Sequence, residues 1–123
     1  YTNINLSEAK SANVPKVLIN DTSDLIYMSR SLIPGSKTTK IQKKIKFLKQ
    51  VCIYAFNYNE LKAFYKFGKK GHLEKIEDIE ILRFFEIHIP IKMILLSNSS
   101  IAVDVKQDVK KVEKYLSNEK KIS

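Results

Sequence analysis

The chain has 123 residues, 44% of them hydrophobic and 28% charged, which suits one globular domain and excludes a fully disordered protein. Its single cysteine, Cys52, excludes an internal disulfide framework and a zinc site built from cysteines. No apolar run approaches the roughly 18 residues of a membrane span, and the first residues do not resemble a signal peptide. The first residue is not methionine, which leaves open that the chain is a piece of a longer protein.

The net charge is strongly positive and comes mainly from lysine. The formal value is +9, from 22 basic and 13 acidic residues, and only Arg30 and Arg83 are arginines. Lysine is a compact, hydrated charge, whereas arginine makes the bidentate contacts that read phosphates and bases. The lysine excess therefore favours a solvated surface. A small basic nucleic-acid-binding protein stays open as an alternative, based on the lysine run 40–49 with Phe47.

The first half of the chain predicts strands. Val14–Ile19 and Leu25–Met28 are apolar runs on either side of the turn formers Asn20–Asp24, a pattern typical of a β-hairpin. Ser29–Lys40 follows as a loop. Val51–Phe56 is nearly all apolar and rich in β-forming residues, which indicates a strand buried on both faces.

Residues 57–71 predict a helix. Apolar side chains recur there at helical spacing, at Leu61, Phe64, Tyr65 and Phe67. Either Asn57 or Asn59 can cap its first turn, because the side-chain oxygen accepts from exposed N–H groups. Gly68 or Gly71 ends it, since glycine adopts a left-handed conformation without steric cost.

Leu73–Ile87 carries the strongest helical pattern, and Pro90 ends it. Its polar side holds an acidic cluster of Glu74, Glu77 and Asp78, with Glu80 three residues before Arg83. The simplest interpretation of this cluster is a solvated acidic face, on which Glu80 and Arg83 can pair.

The last part of the chain predicts two strands and a helix. The strands are Ile91–Leu96 and Ile101–Val103, joined by a turn over 98–100. The helix runs from about Lys106 to Leu116, before a frayed tail over 117–123. Its predicted buried side carries Val109, Val112 and Leu116. The order β-β-β-α-α-β-β-α indicates a single α/β domain over residues 1–123, a mixed sheet with flanking helices.

Asp104 is the first candidate for chemistry, with Asp108 four residues on. It follows a predicted strand where a helix begins, which is the place where open α/β sheets bind ligands. Magnesium takes oxygen ligands from one or two carboxylates and from substrate phosphates. Asp104 is equally able to serve as a helix N-cap, with Asp108 favouring the helix dipole. The residues alone leave both interpretations open.

Other reactive side chains have structural interpretations. Within an apolar strand, Cys52 is expected to be inert with a raised pKa, and Tyr54 to be a core residue with a bonded hydroxyl. His72 and His88 lie near a loop and a helix end and are expected to be surface or satisfied histidines. The three glycines are too scattered to form a phosphate-binding loop.

Several segments together resemble one enzyme family. Pro15–Leu18 and Leu25–Pro34 are similar to its hairpin, which ends in Ser-Arg-Ser-Pro-Ile-Pro, and Cys52–Phe56 to its Gly-Ile-Tyr-Ala-Tyr strand. Leu73–Arg83 is similar to its Leu-Glu…Glu-Gln-Leu-Arg helix, and Ala102–Val109 to its Gly-Val-Asp-Thr-Pro-Glu-Asp-Leu ending. These segments resemble the C-terminal half of the 3-deoxy-manno-octulosonate cytidylyltransferases, the CMP-KDO synthetases. The acylneuraminate cytidylyltransferases are a more distant match.

The resemblance implies the sugar-binding and dimerisation half of a nucleotide-diphospho-sugar-transferase-like fold. It implies a cytoplasmic, magnesium-dependent homodimer that joins CTP to the sugar acid KDO for lipopolysaccharide biosynthesis. The residues implied to bind substrate are Gln50, Tyr54, Glu80 and Arg30, with Arg30 in the segment that approaches the partner subunit. Asp104 matches the family's second magnesium carboxylate.

The chain also departs from the family pattern. Gln50 stands where the family has His, and Ile81 where it has Gln, and both positions face the sugar in the family. Leu32 replaces a Pro, Ala102 a Gly, and Val105-Lys106 a Thr-Pro pair. A related sugar acid is therefore an alternative to KDO. The half that carries the CTP loop and the first metal carboxylate is absent, so the chain alone is expected to be inactive. A non-catalytic dimerisation remnant is the alternative.

Overall fold

The computed structural model describes residues 1–39, 44–97, 103 and 106–119. The described strands form one antiparallel sheet in the order β1-β4-β2-β3. They are β1 (Thr2–Ile4), β2 (Lys16–Ile19), β3 (Leu25–Ser29) and β4 (Phe47–Lys49). The β2–β3 pair is the predicted hairpin, with Val17 opposite Met28. The α/β class with flanking helices is confirmed, whereas β1 and β4 were not expected from the sequence.

The helices are short except for two. They are α1 (Leu6–Ala9), α2 (Tyr58–Phe67), α3 (His72–Glu77), α4 (Arg83–Glu86) and α5 (Lys106–Glu119), with a 3₁₀ turn over Glu80–Leu82. Each end of helix α2 lies at one of the two residues that the sequence left open. Asn57 caps it in a reciprocal capping box with Glu60, and Gly68 ends it in the left-handed region at φ 67°.

The core lies between the hairpin and the segment that follows α3. Its buried side chains are Val17, Leu25, Met28, Ile79, Ile81, Leu82 and Phe84. Lys16 is also fully buried, and its Nζ donates to the carbonyls of Ser11 and Arg30. A buried charge needs such partners because it has lost its water.

The prediction of one helix over Leu73–Ile87 is wrong. Asp78 adopts φ 51° and ends α3, and the chain continues through the 3₁₀ turn into α4. The guanidinium of Arg30 donates from Nε to the Glu77 carbonyl at 2.6 Å and from Nη2 to the Asp78 carbonyl at 3.0 Å. In a continuing helix each of these carbonyls would accept from the N–H group four residues later. Here they accept from Arg30 instead.

The prediction of a doubly buried strand at Val51–Phe56 is also wrong. Every side chain from Cys52 to Phe56 is exposed, and Cys52 itself adopts φ 56°. No hydrogen bond joins the backbone of residues 51–56 to any other residue in the described part of the chain. Ile91–Leu96 is likewise not a strand, although it lies beside β3. There the N–H of Leu25 donates to the Ile91 carbonyl at 2.8 Å.

Helix α5 is confirmed and continues three residues beyond its predicted end. Its predicted buried side is wrong at Val109 and Leu116, which are exposed, while Val112 is half-buried. The predictions for residues 40–43, the turn at 98–100, the start of the strand at 101–102, Asp104 and residues 120–123 lie outside the described residues. Across the described ranges, no helix is long and apolar enough to cross a membrane.

Candidate functional site

A cleft of about 460 Å³ opens between two segments of irregular chain. One wall is formed by residues 50–56 and the other by residues 89–94 and Leu96, and Ile81 and Phe84 extend the lining from the core. Most of the lining is apolar. The cleft brings together Gln50, Tyr54 and Ile81, three positions that the family resemblance places against the sugar.

Tyr54 and Gln50 form the polar group of one wall. The Tyr54 hydroxyl donates to the Gln50 Oε1 atom at 2.8 Å, as expected for a tyrosine with a bonded hydroxyl. Desolvation of the hydroxyl, followed by the neighbouring Cys52 thiol and Glu80 carboxylate, raises the pKa of Tyr54 to about 12. Tyr54 therefore stays protonated at neutral pH and holds the Gln50 oxygen. The Gln50 amide nitrogen, which carries two N–H groups, remains as a donor for a ligand.

The floor of the cleft is an aromatic stack. Phe56 lies on Phe84 with ring centroids 5.2 Å apart, and Phe84 lies on Phe64 of α2 at 5.1 Å. The guanidinium of Arg83 covers the Phe64 ring at 4.0 Å from its centroid. This stack ties α2 and the wall residue Phe56 to the buried core.

Glu74 fixes the position of Arg83. The Arg83 Nε and Nη2 atoms donate to the two carboxylate oxygens of Glu74 at 2.7 and 2.6 Å, a bidentate pair. The hydrogen bond from Arg83 lowers the pKa of Glu74, and the Gly71 N–H and the nearby positive charges add to this effect. Glu74 is only 2% exposed, so the prediction of a solvated acidic face is wrong here. The predicted pair of Glu80 and Arg83 is present at 3.6 Å, with Glu80 exposed.

Arg30 lies away from the cleft lining. Besides the carbonyls of Glu77 and Asp78 at the end of α3, its guanidinium donates to the carbonyl of Ala12 at 3.1 Å. The Glu77 carboxylate accepts from the Arg30 N–H at 2.8 Å and from the Ser29 hydroxyl at 2.6 Å. These bonds give Arg30 a structural position at the end of β3. A role in substrate binding stays a prediction.

The proposed metal ligand cannot be placed, since Asp104 lies outside the described residues. The described ranges hold no group of three or more His, Cys, Asp or Glu side chains able to bind a metal ion. His72 and His88 are exposed, as predicted for surface histidines. Cys52 is exposed on the cleft, so its predicted burial is wrong.

Several cleft residues escaped the sequence analysis. Lys92 lines the cleft, and its ammonium group pairs with the Asp24 carboxylate at 2.6 Å. The hydrogen bond from Lys92, with those from Thr22 and Asn20, lowers the pKa of Asp24 to about 2. Tyr1 also lines the cleft, and its backbone nitrogen donates to the Ile94 carbonyl at 2.7 Å. Both contacts join residues about 70 or more positions apart, and no local sequence pattern signals them.

Comparison with known proteins identifies the relatives of the chain. No protein-family profile matches it. The 3-deoxy-manno-octulosonate cytidylyltransferase of Rickettsia felis is 37% identical over 112 residues, covering 91% of this chain and 42% of the relative. That of Rickettsia canadensis is 33% identical over 119 residues, covering 97% and 46%. The predicted resemblance is confirmed.

Comparison of the fold with solved structures points to the same family. A solved structure of CMP:2-keto-3-deoxy-manno-octonic acid synthetase complexed with CTP superposes with a TM-score of 0.81 and 29% identity. The match covers 96% of this chain and 47% of the synthetase. The chain therefore spans a little under half the length of the cytidylyltransferases that it matches.

Proposed function

We propose that this protein is the sugar-acid-binding part of a cytidylyltransferase, which transfers CMP from CTP to KDO or a related sugar acid. The observation that carries the proposal is the convergence of Gln50, Tyr54 and Ile81 in one cleft. Ile81 is about 30 positions from the other two in sequence. The likeness to cytidylyltransferases over nearly the whole chain supports it.

In the proposed reaction the anomeric hydroxyl of the sugar acid attacks the α-phosphate of CTP. A new oxygen–phosphorus bond forms, the bond to the β-phosphate breaks, and pyrophosphate leaves. Such a reaction depends mainly on positioning and on electrostatic stabilisation. Within this chain, the Gln50 amide would donate to the sugar acid while Tyr54 holds that amide in place. Glu80, which the resemblance implies to bind substrate, does not line the cleft and lies exposed beside Arg83.

The charge of the chain fits these substrates. CTP and a sugar acid are both anions, and a net charge of +9 draws anions toward the protein. We also propose magnesium as the cofactor, with Asp104 as a ligand, a cytoplasmic homodimer as the working form, and a role in lipopolysaccharide biosynthesis. The described residues hold no cluster of three or more His, Cys, Asp or Glu side chains that could complete such a site beside Asp104.

The experiment is a CMP-transfer assay on the intact protein isolated from its source cells. It measures pyrophosphate release from CTP with KDO or other sugar acids, and we expect release that depends on the sugar acid and on magnesium. Absence of release with every sugar acid would favour the alternative of a non-catalytic remnant. Asp104→Asn is expected to abolish release without unfolding the protein, and unchanged release would return Asp104 to its helix-cap interpretation.

The variant Ile81→Gln tests the sugar pocket. A glutamine amide there can donate to a sugar hydroxyl, so we expect a several-fold gain in kcat/KM for KDO, the equivalent of about 1 kcal/mol. Ile79→Gln is the matched control, since Ile79 is equally buried but does not line the cleft. It is expected to lose stability without changing the sugar preference. An equal effect of both variants on KDO use would contradict the proposed pocket.

A further inference from the structure

The cleft offers a single positive side chain to a charged ligand. Among the lining residues that the structure describes, Lys92 carries the only basic side chain and Glu60 the only acidic one. The Glu60 carboxylate is engaged in the capping box of α2, where it accepts from the Asn57 N–H at 2.7 Å. A sugar acid brings a carboxylate into this largely apolar cleft, and a charge that leaves water needs a partner. Lys92 is the lining residue that can supply the opposite charge.

The hairpin turn fixes the backbone on both sides of Lys92. The N–H of Met93 donates to the Ser23 carbonyl at 2.8 Å, and the Ile91 carbonyl accepts from the Leu25 N–H at 2.8 Å. These two hydrogen bonds hold this wall of the cleft in place. The position of the Lys92 backbone therefore does not depend on the contacts of its own side chain.

The ammonium group of Lys92 rests on the hairpin turn, at the edge of the cleft. Its Nζ atom donates to the Thr22 carbonyl at 2.7 Å and lies 2.6 Å from Asp24 Oδ1. Neither Thr22 nor Asp24 lines the cleft. In the structure described here, the ammonium is thus held beside the cleft by groups that lie outside it.

The pair of Lys92 and Asp24 is of a kind that a ligand can displace. The two side chains are 61% and 38% exposed, and exposed ion pairs contribute little to stability. The pair of Arg83 and Glu74 is the contrast, since its side chains are only 13% and 2% exposed. Lysine also has a flexible stem of four carbons, so the ammonium can change partners while the backbone stays fixed.

We propose that Lys92 binds the carboxylate of the sugar acid, and that Asp24 holds the Lys92 ammonium on the hairpin turn until the sugar acid arrives. The substrate carboxylate then replaces Asp24 as the ionic partner of Lys92. In this arrangement Lys92 is a substrate-binding residue, and Asp24 competes with the substrate for it. The inference rests on the proposed function for the identity of the ligand, but it concerns binding and requires no CMP transfer.

The test is isothermal titration calorimetry of KDO binding to the intact protein and to two variants. Lys92→Gln is expected to weaken KDO binding at least about tenfold, because the charged hydrogen bond to the carboxylate is lost. Asp24→Asn is expected to strengthen it several-fold, because the competing charge is removed. The turn should persist in Asp24→Asn, since one asparagine oxygen can still accept from the Thr22 hydroxyl and the Asn20 amide, as Asp24 Oδ2 does.

Two matched controls isolate the carboxylate and the position. The methyl ester of KDO keeps the sugar hydroxyls but has no carboxylate charge, so Lys92→Gln should leave its binding unchanged. Lys75 is an exposed lysine on α3 outside the cleft. Lys75→Gln removes the same charge from the protein and should leave KDO binding unchanged.

Unchanged or weaker KDO binding in Asp24→Asn would overturn the proposal, because a pair that only braces the wall would predict a loss in both variants. Equal losses of KDO and ester binding in Lys92→Gln, or no KDO binding by the original protein, would overturn it as well.

The CMP-transfer assay on the same preparations separates this inference from the proposed function. Lys92-dependent KDO binding without CMP transfer would support the carboxylate site and contradict the enzyme. CMP transfer to KDO with an unchanged KM for KDO in Lys92→Gln would do the reverse.

Discussion

The hairpin side and the cleft side of this protein differ in the groups that they bury. Around the hairpin and α3, charged groups are buried, and each has its partners within the chain, as Lys16 and Glu74 do. Around the cleft, apolar groups such as Ile53 and Ile94 lie in the solvent. No buried side-chain polar atom in the described ranges lacks a hydrogen bond. The difference teaches that the hairpin side satisfies its buried polar groups within the chain, whereas the cleft side leaves large apolar side chains exposed.

The cleft side gains less hydrophobic stabilisation than it could, because its apolar side chains are exposed. A fully exposed large apolar side chain forgoes about 1.5–3 kcal/mol of hydrophobic stabilisation. Removing the charged groups of Lys16 and Glu74 from water on the hairpin side also costs free energy, but the hydrogen bonds that these groups make offset it. Substitutions on the two sides should therefore differ sharply in their effect on stability.

The largest effect is expected from Glu74→Ala. Removing this buried carboxylate leaves the Arg83 guanidinium without its main partner, at an expected loss of about 3–5 kcal/mol in the free energy of unfolding. Glu80→Ala is the control, because Glu80 approaches the same guanidinium but is exposed, and we expect little change. Urea unfolding measures both, and equal losses would show that burial does not distinguish the two pairs.

The next effect contrasts apolar side chains on the two sides. Leu82 is 0% exposed in the core, so Leu82→Ala should lower the free energy of unfolding by about 2–5 kcal/mol through lost contacts and a cavity. Ile53→Ala in the isolated chain should change it by less than about 0.5 kcal/mol. Thermal or urea unfolding decides, and a large loss from Ile53→Ala would mean that this side chain is buried in solution.

Acid should weaken the hairpin side. Burial raises the pKa of Glu77, but the hydrogen bonds from Ser29, Arg30 and Tyr27 and the charge of Arg30 outweigh it, so the pKa is lowered overall. The pKa of Glu74 is lowered too. Because both values are lower in the folded chain, their stabilisation is complete above the unfolded value near about 4.3. It is lost as the pH falls through the folded values.

The measurement is urea unfolding between pH 7 and pH 3. Stability should decline below about pH 5, and Glu77→Gln should make the decline shallower. If the free energy of unfolding of the variant declined with pH as steeply as that of the original protein, Glu77 would not contribute to the acid sensitivity.

The smallest loss of stability is expected from the cap of helix α2, which lies next to the cleft. Asn57→Ala removes the cap of α2 and should lower the free energy of unfolding by about 1 kcal/mol. Asn59→Ala, two residues later in the helix, should not destabilise, because alanine has the higher helix propensity. Circular dichroism during urea unfolding measures both, and the reverse ranking would move the cap to Asn59.

Much of the fold could be predicted because it follows from neighbouring residues. The hairpin depends on the turn residues between two β-forming runs, and α2 on a capping side chain and a terminal glycine. The strands β1 and β4 could not be predicted in the same way, since each is three residues long and pairs with distant chain. Of the candidate site, the resemblance supplied Gln50, Tyr54 and Ile81. Lys92 and the aromatic stack had no local signal.

The sequence by itself determined the α/β class, the hairpin, two candidate residues for each end of α2 and the kinship with the cytidylyltransferases. These depend on residue types within a few positions of each other or on segments matched in order. The tertiary structure decided the division of Leu73–Ile87 by Arg30, the burial of Glu74 and the exposure of residues 52–56. Each of these depends on which distant groups come together, and hydrogen bonds and burial between distant groups override local propensity.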